Sequence, residues 1–492
     1  MRKICLLAFL LAFITLNAQT KQDTTNKKES TEYKKRVLEN VEIDLLSSYY
    51  IQDGSNAAVT GGIGSEELDD FATNLVISIP LNDDDVLSID GTISAYTSAS
   101  SSNLNPFSSA SSGYDDDDDD DKKKALGTLA TQPVTGTPWA ASSGASKEDV
   151  WVSGTIGYTH SSDNRNNIYS VHVSFANEFD YSSFGVGLSY SRLFNQKNTE
   201  IGISANVYLD QWRPEYPTEI KTYVKYDGNL EAGFFSGVPI LDENGLPIDK
   251  NASDIWAPVN TTLVNNKGRN TYSASLSFSQ ILGPKTQISI FGDFVMQEGW
   301  LANPMQRVYF ADKANYYIGN AASIPYYETP KNQDVFQLAD DIERLPDTRM
   351  KIPVGMRFNQ YINEFLVVRT YYRFYYDDWG VLSHTANIEI PIKIGMNFMV
   401  YPNYRYYTQT AADYFAPFEQ HLSTETYYTS DYDLSEFYSN QVGLGLRYTN
   451  ILMKKHLGKI AVKSIDLNYN YYKRDIGFDA HIATIAFKFV IE

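Results

Sequence analysis

The chain has 492 residues, a formal charge of −19 and one cysteine, Cys5. That balance repels a phosphate backbone and argues against nucleic acid as a partner, and a lone thiol excludes a disulfide framework. Tyrosine, at 37 copies, is the unusual component, and it favours a membrane–water boundary where an apolar ring and a polar tip are both satisfied.

The chain opens MRKICLLAFLLAFITLNAQ, with basic Arg2 and Lys3, an apolar run from Ile4 to Leu16, and a small-residue cleavage site ahead of Gln19. Residues 1–18 therefore read as a secretory signal peptide, and 19–40 as a short periplasmic segment. No later apolar run approaches the roughly 18 residues that a helical span requires.

From residue 41 onward, alternation of apolar and polar residues dominates. It predicts strands over 41–52, 71–82, 86–97, 149–160, 168–178, 182–194, 199–212, 271–282, 286–300, 349–362, 365–376, 381–394, 396–409, 440–450, 463–474 and 479–491. The gaps between them alternate in character. The even gaps are short, such as NDDD, NQKN and GPK, whereas every long excursion (53–70, 98–148, 213–270, 301–348, 410–439) falls on the other side. A soluble sandwich has no reason to keep that parity; outer-membrane barrels pair short periplasmic turns with long extracellular loops. The expected fold is all-β: a transmembrane antiparallel up-and-down β-barrel of about 16 strands over 41–492, in the outer membrane of a Gram-negative bacterium. Such a sheet must close, because hydrocarbon offers nothing to an unpaired edge.

Strand parity sorts the side chains into two faces. In FLVVRTYYRFYYDDWG, Leu366, Val368, Tyr372, Phe374 and Tyr376 share one side, and Arg369, Tyr371, Arg373 and Tyr375 the other. Extended along the chain, the same sorting predicts a lumen with an acidic side (Glu42, Asp44, Asp90, Asp210, Asp293). Facing it is a basic wall of Lys351, Arg357, Arg369, Arg373, Lys393, Arg405, Arg447 and Lys488. Opposed charged walls tune pore selectivity, although Glu389 and Asp466 are also placed to neutralise neighbouring arginines in a sealed interior. Trp151, Trp212, Trp300 and Trp379 fall at the external strand ends, where an aromatic girdle is expected.

Few motifs suggest chemistry. DDDDDDDKKK (115–124) reads as a solvated charge run in an external loop. GYTHSSDNRNN is similar to the His-x-Ser-Asn stretch of outer-membrane phospholipase A, with His160, Ser162 and Asn164 as candidate base, nucleophile and orienting amide. Asp163 interrupts that pattern, and the segment sits at a periplasmic turn. The remaining histidines lack zinc-ligand spacing; no metal and no cofactor is expected.

Six stretches together resemble a known family: SYYIQDGSNAAVTGGIGSEEL, YTSASSSN, YLDQWRPEYPTEI, ERLPDTRMKIPVGMRFNQY, RTYYRFYYDDWGVLSHTANIEIPIKI and YPNYRYYTQTAADYF. They are similar to the domain-of-unknown-function family 3570, uncharacterised bacterial exported proteins regarded as outer-membrane barrels. The resemblance implies a partnership with an envelope lipoprotein or a periplasmic redox companion. The leading expectation is a non-catalytic pore, transporter or export conduit, embedded in outer-membrane lipid and inserted by the barrel-assembly machinery. The alternatives are a sealed barrel acting as a scaffold for a surface lipoprotein or redox partner, and an outer-membrane lipid hydrolase.

Overall fold

The structure is a computed structural model that describes residues 36–97, 104–107, 134, 136–139, 150–253, 255–260, 262–264, 267–450 and 456–491. The signal-peptide segment 1–18 and the Asp115–Asp121 run lie outside these residues.

Sixteen strands form one closed antiparallel barrel. The first eight are β1 (Val41–Asp53), β2 (Leu68–Pro80), β3 (Asp85–Tyr96), β4 (Val150–Ser161), β5 (Asn167–Asn177), β6 (Tyr181–Phe194), β7 (Thr199–Trp212) and β8 (Lys267–Gly283). The rest are β9 (Thr286–Gly299), β10 (Thr348–Asn363), β11 (Leu366–Asp377), β12 (Leu382–Glu389, resuming over Ile392–Ile394), β13 (Phe398–Gln409), β14 (Phe437–Thr449), β15 (Ile460–Arg474) and β16 (Asp479–Ile491). Each strand pairs with its neighbours in sequence, and β16 returns to β1 with Lys488 opposite Asp44 and Phe487 opposite Leu45. The interruption in β12 falls at Pro391, which has no N–H to give the ladder. Its carbonyl still accepts from Val367.

The register separates the faces. Ile156, Val173, Val186 and Val207 succeed one another across β4 to β7, and all four are exposed. With Leu188, Ile203, Leu276, Val442 and Leu444, also exposed, they form an apolar outer band. In water such a surface would aggregate; in a bilayer acyl chains solvate it. No helix among the described residues is long and apolar enough to cross a membrane, and the strands do the crossing. Leu188, 58 % exposed near the middle of β6, supplies a test. Leu188→Arg should destabilise the barrel by about 2–4 kcal/mol, the depth-dependent cost of a cation on the lipid face. Denaturant unfolding in phospholipid vesicles measures it, and an unchanged midpoint would mean that this face does not meet hydrocarbon.

The inner face is uneven. From β4 to β9 it is lined by small residues such as Ser153, Ser174, Gly187, Ser204, Ser275 and Ser277, and from β10 to β15 by long ones. Two large rings lie over a glycine of the neighbouring strand. The Phe291 ring covers Gly355 and the Tyr401 ring covers Gly445, each so closely that a Cβ on the glycine would overlap it. Only glycine leaves room for that arrangement.

The fully buried apolar residues are concentrated in the long loops. The excursions 54–67, 213–266, 300–347 and 410–436, with part of 97–149, assemble a cap at one rim. Phe234, Phe235, Ile240, Trp256, Ile318 and Phe336 form its main cluster, which Phe107 and Val134 also enter. The short helix α1 (Thr218–Lys225) carries buried Glu219 and Ile220 into the cap. A three-stranded sheet joins Ile240–Leu241, Tyr317–Gly319 and Val335–Gln337, and Arg307–Val308 pairs with Asp341–Ile342.

At the centre of the cap, Arg307 and Glu219 form an ion pair with both side chains at 0 % exposure. Arg307 Nε and Nη2 donate to the two carboxylate oxygens at 2.7 and 3.1 Å. Its remaining N–H groups reach the carbonyls of Val59 (3.1 Å) and Leu104 (3.2 Å), and its guanidinium lies 4.7 Å from the Phe336 ring centre. One side chain thereby joins four loops.

Candidate functional site

The lumen is the candidate site, and its walls follow from the ladder. One inner row runs Arg357, Tyr371, Asn387, Arg405, Gln441, Tyr472 across β10 to β15. The adjacent row runs Gly355, Arg373, Thr385, Tyr407, Ser439, Arg474. Arginines and tyrosines therefore share one wall. Glu42, Asp44, Asp90 and Asp293 also face inward, opposite Ser78, Lys488, Thr155 and Ser275 respectively.

Pairing divides these charges. Lys463 and Lys488 each donate to Glu42 at 2.7 Å, and Lys488 also reaches Asp44 at 3.2 Å. The acidic residues nearest the β16–β1 seam are thus neutralised by lysines across it. Asp90 accepts from Asn74 at 2.7 Å. Arg369 pairs with Glu389 at 2.8 Å and Arg447 pairs with Asp466, yet both arginines remain nearly half exposed. Arg357 is held by rings, 5.2 Å from Phe291 and 5.8 Å from Tyr371. For Arg373, Lys393 and Arg405, no carboxylate lies within ion-pairing distance among the described residues.

The two ends differ. At the long-loop rim, the inward side chains of Asp377, Ser383, Gln409, Phe437, Ser439 and Ala480 are buried, because the cap lies on them. Loop 410–436 reaches the strand wall. Gln409 Nε2 donates to the carbonyls of Asp433 (3.0 Å) and Ser435 (2.6 Å), and Arg474 pairs with Asp433 at 2.6 Å. Towards the short-turn rim, Arg369, Lys393 and Arg447 are accessible. The lumen is a cup covered by the cap at the loop end, with charged side chains accessible towards the other.

Beneath loop 410–436 is a cavity of about 250 Å³, bordered by Arg349, Arg373, Tyr375, Tyr407, Asp433 and Leu434 among others. Asp377 organises one side. Its carboxylate accepts from Arg349 Nε (2.9 Å), the Tyr375 hydroxyl (2.7 Å) and the Trp379 and Val381 amides. From sequence, Asp377 reads only as part of a DDWG turn. Its place at the inward end of β11, in step with Arg373 and Tyr375, was the available signal.

The tryptophan girdle requires correction. Trp151 stands opposite Ser94 and Trp212 opposite Tyr181, so both point into the lumen. The Arg269 guanidinium lies 5.6 Å from the Trp212 ring. Trp300 follows the last residue of β9, its N–H on the Gly268 carbonyl. Trp379 is 3 % exposed, donates its indole N–H to Thr348 and lies under Arg349 at 4.2 Å. Position at a strand end does not decide the face; parity does. Outward aromatics near this rim include Tyr49, Phe71, Tyr272, Tyr376, Tyr406 and Tyr438, all exposed.

The hydrolase candidates are not assembled into a triad. His160 Nδ1 is 2.6 Å from Asp85 on the outer face, whereas the Ser162 hydroxyl donates to Asn164 Oδ1 at 2.8 Å and accepts the Asn167 amide at 3.0 Å. Ser162 and Asn164 shape the β4–β5 turn and do not engage the imidazole. No cluster of three or more His, Cys, Asp or Glu side chains fit to hold a metal occurs among the described residues.

The family described as "Protein of unknown function (DUF3570)" matches residues 6–449. No curated protein matches the chain. Among solved structures, a "Bacterial polysaccharide outer membrane secretin" aligns at 8% identity and TM-score 0.41, covering 92% of this chain and 99% of its own. The "CymD monoaromatic hydrocarbon channel" aligns at 8% identity and 0.34, covering 92% and 88%. Pseudomonas aeruginosa OpdK, solved with vanillate, aligns at 9% and 0.34, covering 91% and 98%. At these values the likeness extends to barrel architecture alone.

Proposed function

The chain belongs to the DUF3570 family, and from that premise and the shape of its lumen we propose that it is a capped outer-membrane conduit for anionic solutes. In this reading the polar cup opens to the periplasm, the cap faces outward, and the protein carries no catalytic centre. The observation that supports it is the set of cations left without acidic partners, Arg373, Lys393 and Arg405, on a wall that reaches the open end. A barrel whose inner charges served packing alone would pair them, because an unpaired charge removed from water is costly.

Planar-bilayer recording of the purified protein tests the proposal. Channels should appear with anions favoured over cations, and replacing Arg369 and Arg373 together with glutamine should move the reversal potential towards cation selectivity. Unchanged reversal potentials would remove the basic-wall pore.

The cap favours a second reading. A folded loop assembly with its own apolar core is more than a pore rim needs, and suits a scaffold that holds an envelope lipoprotein or redox partner. A barrel that never conducts yet co-purifies with such a partner from native membranes would favour it.

A further inference from the structure

The cavity under loop 410–436 is chemically one-sided. Of the two guanidiniums that border it, Arg349 is committed to Asp377; the bordering Asp433 carboxylate is in turn paired with Arg474. Arg373 borders the cavity, with no acidic partner among the described residues and the Tyr375 ring 6.0 Å away. The cavity thus offers one uncompensated positive charge.

Its other surfaces mix ring and aliphatic carbon with the polar side chains of Ser383, Thr385 and Gln409. The Tyr375 hydroxyl donates to Asp377 at 2.7 Å and the Tyr407 hydroxyl to Gln409 at 2.6 Å, leaving the ring bodies as wall. Val381 and Leu434 add aliphatic surface. The Asp433 carboxylate on the rim disfavours a second negative charge.

We propose that this cavity is a binding site for a small monoanionic organic acid, with the carboxylate on Arg373 and the apolar body between Tyr375 and Tyr407. A guanidinium holds a carboxylate through two parallel N–H donors, and about 250 Å³ accommodates a single ring. This deepens the conduit reading by naming a solute class, and rests on solute reaching the cavity from the open end of the cup.

Titration calorimetry on the detergent-purified full chain reads it, with sodium benzoate as probe and benzamide and inorganic phosphate as comparators. Benzoate should bind, benzamide about tenfold or more weaker, and phosphate weaker than benzoate. Arg373→Gln should lower benzoate affinity about tenfold or more, Arg373→Lys should recover part of the loss, and Lys285→Gln, in the exposed short β8–β9 turn, should leave it unchanged. Heat-modifiable gel migration verifies that each variant remains a barrel; should Arg373→Gln fail to fold, Tyr407→Ala takes its place and should also weaken benzoate. Absence of benzoate binding, benzamide equal to benzoate, phosphate tighter than benzoate, or an Arg373 variant with unaltered affinity would each overturn the site. The conduit is judged separately: benzoate binding by a barrel that never conducts removes the conduit and keeps the site, whereas conduction without benzoate binding does the reverse.

Discussion

Replacing Arg307 with alanine should unfold the loop cap and leave the barrel standing. The substitution strands the Glu219 carboxylate, which is fully buried, and frees the carbonyls of Val59 and Leu104 from their donors. Breaking a buried pair by removing one partner costs about 3–5 kcal/mol, a large part of what a loop assembly of this size can hold. The barrel ladders make no use of Arg307, so heat-modifiable migration should be unchanged, while peptides from 213–266 and 300–347 exchange amide hydrogens far faster. In a bilayer the same variant should raise conductance, because the cap covers the loop end of the lumen. Exchanging both partners for apolar residues, Arg307→Met with Glu219→Leu, should recover most of the stability, since neither charge is then left alone. A double variant as loose as the single one would show that the carbonyl contacts, not the ion pair, hold the loops.

The barrel was largely legible in the sequence, and the cap was not, for a physical reason. A strand with lipid on one side and water on the other writes its environment at period two, so Arg369, Tyr371, Arg373 and Tyr375 declare one face without any knowledge of partners. Asymmetry of the gaps then sets the closure. The cap residues have no such period. Phe234 and Phe235 lie in a single 3-10 turn, Phe336 in a three-residue strand and Trp256 in irregular backbone, all too short to show one, and their burial depends on meeting loops far away in sequence. Glu219 and Arg307 show the limit most clearly: each is one more surface charge in a polar loop until the fold places them 2.7 Å apart. The tryptophans show a different limit. Trp151 and Trp212 sit at the height of a girdle, whereas their facing is decided by whether they are in step with Ser153 and Asp210, which are inward.

The cap should also loosen as pH rises, and the sign follows from its buried carboxylates. Glu343 accepts the Asn303 amide and the Thr429 hydroxyl at 2.5 and 2.6 Å, but burial, with added repulsion from Asp431, pushes its pKa up to about 8. Burial likewise raises Asp340 to about 7; the Phe310 amide and Lys313 oppose the shift, and Glu419 and Asp312 add to it. Both groups hold their protons in the folded cap at pH values where the opened loops would release them. Below the ordinary carboxylate range, near 4, both states are protonated and the cap has its full stability. As pH rises from there through 7 and 8, the opened state gains by ionising while the closed state does not, so stability falls and then levels off. Shifts of this size amount to on the order of 4 kcal/mol for each group. The guanidinium midpoint of the cap, read from its near-ultraviolet tertiary signal, should therefore drop between pH 5 and 9. Glu343→Gln keeps the shape and removes the proton equilibrium, so its midpoint should fall less over the same range. A flat wild-type profile, or a glutamine variant with the full slope, would mean that Glu343 is not held protonated in the closed cap.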